Sequence, residues 1–146
     1  MEVLGSTKDS WKFKKNSGYY GLFITGDWEE DRRYVLQYTI MATDGVLRRI
    51  GGHMKCFPDT IDGFEIVVKN IHGETIATTI EKNDENYYCT RQDGEPFENN
   101  VKYFVTVRCT RRDPNTGTDK NMWIQPNRAI NDEVTCKVSD VKVFIV

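Results

Sequence analysis

Val101-Lys102-Tyr103-Phe104-Val105-Thr106-Val107-Arg108-Cys109-Thr110 is the stretch from which the fold can be read. Val101, Tyr103, Val105, Val107 and Cys109 share one phase, and Lys102, Phe104, Thr106, Arg108 and Thr110 share the other. A period of two over ten residues, rich in β-branched and aromatic side chains, is a strand with one face on a core. Working outward, Tyr34 to Ala42 has the same character, with Leu36, Tyr38 and Ile40 opposed to Gln37 and Thr39. Thr43-Asp44-Gly45 carries the Asp-Gly turn signal, so Val46 to Met54 is expected to return as the second strand of a hairpin. The Gly51-Gly52 pair within it marks a bulge or the close approach of another group.

Phe64 to Lys69 and Thr75 to Ile80 flank Asn70-Ile71-His72-Gly73-Glu74, a second expected hairpin. Asp113-Pro114-Asn115-Thr116-Gly117 has turn chemistry at nearly every position. Asn121 to Gln125 is a short strand ended by Pro126, and Val134 to Val146 is the last. Its apolar phase moves from Val134, Cys136 and Val138 to Val141, Val143 and Ile145, which predicts a bulge near Ser139-Asp140. Tyr19 to Thr25 gives an earlier strand, followed by the acidic loop Asp27 to Asp31. No segment holds a 3.6-residue period over ten residues. About nine closely spaced strands separated by turns specify an all-β domain: a sandwich, jelly roll or barrel. The first ten residues read as a flexible lead-in or arm and residues 11–146 as a single domain, a length able to bury its own core.

Twenty basic and twenty-two acidic residues are scattered along the chain, leaving a net charge of −2. Nucleic-acid binding requires concentrated Lys and Arg, so that partner class is excluded. No run approaches the roughly 18 apolar residues of a membrane span. Met1-Glu2-Val3-Leu4-Gly5 lacks the basic and apolar regions of a secretory signal, so an extracellular role would depend on a particle or on lysis. Cys56, Cys89, Cys109 and Cys136 contain no C-x-x-C pair, and His53 with Cys56 forms only half of a zinc site. Cys109 and Cys136 lie on apolar phases, as buried thiols would, while a disulfide between them stays open as the alternative.

Catalysis finds little purchase. Neither His53 nor His72 accompanies a G-x-S-x-G motif, and His72 belongs to an exposed turn. Asp27, Glu29, Glu30 and Asp31 form a solvated charge run, and Glu65 has no in-strand partner with which to cleave a glycoside. No glycine-rich phosphate loop opens a helix. The expectation is a domain that binds and is not an enzyme.

Three segments carry a resemblance: Arg33-Tyr34-Val35-Leu36-Gln37-Tyr38-Thr39-Ile40, then Tyr103-Phe104-Val105-Thr106-Val107, then Trp123-Ile124-Gln125-Pro126-Asn127 leading into Val138-Ser139-Asp140-Val141-Lys142-Val143. In this order they resemble the jelly-roll carbohydrate-binding modules with a galactose-binding-domain-like fold, which also serve as attachment domains on bacteriophage tail and baseplate proteins. The resemblance spans most of residues 33 to 146. It implies a two-sheet antiparallel β-sandwich, an oligosaccharide or cell-surface glycan as partner, and a place in a virion or outside the cell. It also implies a structural calcium near the closing strand, where Asp140 stands at the matching position.

Sugar recognition needs flat aromatic faces and polar groups that can bond hydroxyls, set on a rigid sheet or its loops. Trp28 in its polar loop and Trp123 in its strand are the candidate stacking surfaces, with Tyr20, Arg49, His53 and Gln125 as further contacts. Trp11, beside Phe13, belongs to the core or to an interface. The competing expectation is a structural particle protein whose jelly roll assembles with other particle proteins or with copies of itself, its aromatics buried between subunits.

Overall fold

The computed structural model describes residues 2–6, 11–15, 22–24, 31–53, 64–78, 80–83, 86–110, 122–127, 130 and 132–145, with side chains for 31–52, 64–78, 87–110, 124–127, 130 and 132–145. They form β1 (Glu2–Ser6), β2 (Trp11–Lys15), β3 (Leu22–Ile24), β4 (Arg33–Gly45), β5 (Ile50–His53), β6 (Glu65–Lys69), β7 (Thr75–Ala77), β8 (Ile80–Asn83), β9 (Asn86–Cys89), β10 (Tyr103–Thr110), β11 (Met122–Ile124) and β12 (Val134–Ile145). No helix occurs among the described residues, so none there is long and apolar enough to cross a membrane.

All strand pairs are antiparallel. The first sheet runs β1-β12-β4-β10-β6-β7, with β2 also on β12. Because β4 occupies one side of β12 along its whole length, β1 and β2 share the other side, opposite 142–145 and 134–138 respectively. Part of the expected lead-in is therefore a paired edge strand. The second layer contains β5-β9-β8 and β11-β3. The Gln125 amide donates to the Gly51 carbonyl at 2.9 Å and the Asn127 amide to that of Arg49 at 3.0 Å, which sets β11 beside β5. The order across this layer is thus β3, β11, β5, β9, β8.

The alternation in β10 holds residue by residue. Tyr103, Val105, Val107 and Cys109 are buried, while Phe104 is 44% exposed on the other face. Opposite them, Tyr34, Leu36, Tyr38, Ile40 and Ala42 of β4 point into the same core, which Ile50, Tyr87, Cys89 and Ile124 enter from the second layer. Phe64, just before β6, stacks on Tyr87 of β9 with ring centroids 4.2 Å apart, tying the two layers together. Each large apolar side chain removed from water contributes about 1.5–3 kcal/mol. Cys89, Cys109 and Cys136 are buried thiols and act here as small hydrophobes; no disulfide joins Cys109 to Cys136.

The bulge in β12 lies where the apolar phase shifts. Register moves between Ser139 and Lys142, Asp140 has φ of 54°, and both Val138 and Val141 are buried as a result. The hairpin at 70–74 also forms, with the Asn70 carboxamide oxygen accepting the backbone amides of His72 and Glu74.

The hairpin expected between 34–42 and 46–54 does not form. β4 is flanked by β10 and β12 and has no edge to offer, so the chain leaves the sheet at Gly45 and begins the second layer. Gly45 has φ of +77°, and a Cβ there would lie 2.2 Å from the Glu133 carbonyl oxygen. The Asp-Gly signal serves a passage between layers, and only glycine fits it.

A candidate ligand-binding face

The passage into β5 is held from one side chain. Asn127, fully buried with φ of 54°, accepts the backbone amides of Arg48 and Arg49 on its Oδ1 at 2.7 and 3.1 Å. Its Nδ2 donates to the Val46 and Asp132 carbonyls at 2.7 and 3.2 Å. Both sides of the carboxamide are therefore spent on main chain, fixing the point at which Arg49 leaves the backbone.

Ile50 enters the core, so the alternation of β5 sends Arg49 to the opposite face of the layer. There the Arg49 guanidinium lies over the Tyr88 ring, 4.0 Å from its centroid. Tyr88 is the register partner of Gly51, and it is buried without belonging to the core cluster. A Cβ on Gly51 would lie 2.0 Å from the Tyr87 carbonyl oxygen, so the glycine pair does mark a close approach. Gln125 sits on the other side of β5 and follows Ile124, a core residue. Arg49, Tyr88 and Gln125 thus share the non-core face of the second layer.

Of the residues expected to bind sugar, the structure brings Arg49 and Gln125 to adjoining strands. Gln125 is not on an open surface, as a sugar face of exposed groups would require: it is 1% exposed, and neither Nε2 nor Oε1 has a hydrogen-bond partner. For His53 and Trp123 the backbone alone is described; they lie in β5 opposite Asn86 and in β11 opposite Phe23. His53 is two residues along from Gly51, and Trp123 two from Gln125. Tyr20 and Trp28 lie outside the described residues, as do Cys56, the acidic run 27–30 and the turn 113–117. Tyr88 and Asn127 had no role in the sequence reading. Asn86-Tyr87-Tyr88-Cys89 resembles core in sequence, and an Asn after Pro126 resembles an ordinary turn.

Asp140 belongs to the first sheet, across from Tyr38 in β4, away from this face. It is one exposed carboxylate, followed two positions on by the exposed Lys142. Calcium takes roughly six to eight oxygen ligands. Among the described residues no three His, Cys, Asp or Glu side chains gather to hold a metal, and those around Asp140 do not fit the expected calcium.

A second concavity, of about 450 Å³, lies beside Val46, Arg91, Pro96, Phe97, Glu98 and Asn99. Arg91 is engaged there by the Asp93 carboxylate and the Pro96 carbonyl. The backbone amide of Glu95, together with Arg91, holds the Asp93 carboxyl below its ordinary range. These bonds rigidify the 91–99 loop.

Compared with known proteins, the sequence matches no family model and no curated protein.

Proposed function

We propose that this chain is a non-catalytic carbohydrate-binding domain of jelly-roll topology, with its ligand face on the second layer around Arg49, Tyr88 and Gln125. The topology draws support from strand order. With β6, β7 and β8 set aside as an insertion, the eight strands in chain order are β2, β3, β4, β5, β9, β10, β11 and β12. One sheet takes β2-β12-β4-β10 and the other β3-β11-β5-β9. That is the pattern of two interlocked Greek keys, which both lectins and capsid proteins use.

The observation that carries the functional reading is the set of groups on the non-core face: a planar guanidinium stacked on a phenol ring, beside a carboxamide with its bonding capacity unspent. Sugars are recognised by planar polar groups and aromatic edges on a rigid frame. The Asn127 clamp and the β5-β9 ladder supply that frame.

The test is retention of the wild-type protein and of Arg49→Ala on a broad glycan array, with incubation of any retained glycan to look for new reducing ends. Retention by the wild type, a loss of tenfold or more in Arg49→Ala with the fold intact, and no cleavage are expected. An array without retained glycans would remove this reading. A solution oligomer of fixed symmetry that buries Phe104 would then favour particle assembly.

A further inference from the structure

The Gln125 carboxamide is the least explained group in the molecule. Its backbone amide is bonded to Gly51, its predecessor Ile124 is in the core, and its side chain is 1% exposed with both polar atoms unpartnered. Buried polar groups are nearly always hydrogen-bonded, and leaving one unsatisfied destabilises the fold. A Met or Leu of similar volume would fill the same space without that cost. Such an orphan marks a place where an occupant supplies the missing partners.

We infer that Gln125 lines an enclosed subsite for two adjacent hydroxyls of a neutral sugar, an inference that rests on the carbohydrate reading above. The carboxamide presents an acceptor and a donor side by side. Hydroxyls on neighbouring ring carbons each donate and accept, and they can face the carboxamide together. A carboxylate offers acceptors only and would oppose Oε1. A trans secondary amide, such as an N-acetyl group, points its donor and acceptor in opposite directions. A simple cation or anion satisfies one atom of the two. Because Gln125 is enclosed, the subsite takes a single ring or a chain end, and not the middle of a polysaccharide.

The experiment compares the wild type with Gln125→Met and Gln125→Leu on a printed panel of mono- and oligosaccharides, each protein also being melted without sugar. Both variants are expected to keep or raise the melting temperature while binding of the glycan retained by the wild type falls at least tenfold. The free terminal monosaccharide should compete for that glycan. Binding within twofold of the wild type in a folded variant would mean a resident water only. A lowered melting temperature in both variants, or failure of both to fold, would mean that the carboxamide supports the fold; either result overturns the inference. If the wild type retains nothing, the carbohydrate reading itself falls; if wild type and variants are retained alike, only the subsite does.

Discussion

Asn127 is worth more to this structure than its place after a proline suggests. Its four hydrogen bonds to main chain join the 46–49 passage to the segment before β12. Asn127→Ala strands buried amides and carbonyls, and its cost is expected to be about 3 kcal/mol, read from urea unfolding midpoints. The thiols of Cys89 and Cys136 make a second residue-scale prediction. Burial pushes each up to about 12, and it raises the Tyr38 hydroxyl as well. In the unfolded chain a thiol ionises near 8.5. Between about 8.5 and 12 the unfolded state therefore releases protons that the folded state keeps, and stability falls as pH rises through that window. Below it the contribution is fully present. Urea midpoints that stay level from pH 8 to 11 would contradict this. Arg49 and Gln125 were legible as polar groups on strands. Tyr88 and Asn127 were not, because what distinguishes them is which strand or loop lies alongside, and no local pattern records that.

At the scale of elements, phase carried more information than turn signals. The break in the apolar phase of β12 located its bulge, since a strand with one buried face has to add a residue to change phase. The Asp-Gly signal at 44–45 was read as a hairpin because that dipeptide permits several sharp turns. Whether the next strand pairs locally depends on whether β4 keeps a free edge, and two distant strands take both of its edges. The bulge is testable directly. At φ of 54°, Asp140→Gly is expected to stay within about 1 kcal/mol of the wild type, whereas Asp140→Val, β-branched in a left-handed conformation, costs about 1–2 kcal/mol more. Equal melting temperatures for the two variants would contradict the bulge geometry.

For the molecule as a whole, the two layers share one core but present different outer surfaces. The first sheet turns Phe104, Thr106 and Lys69 outward from β10 and β6, and the second turns Arg49, Tyr88 and Gln125 away from the core. Fold class was readable because strand period and core burial are the same physical fact. The choice of face was not, because it depends on how twelve strands divide between layers. The central claim is that the non-core face of the second layer binds carbohydrate. Backbone amide shifts of the isotope-labelled protein, recorded by NMR during titration with a glycan retained on the array, test it most directly. The account predicts perturbations concentrated at Arg49 to Gly52, Tyr87 to Cys89 and Ile124 to Asn127, with Phe104, Thr106 and Val67 unmoved. Shifts gathered on Phe104, Thr106 and Val67, with Arg49, Tyr88 and Gln125 unchanged, would contradict it.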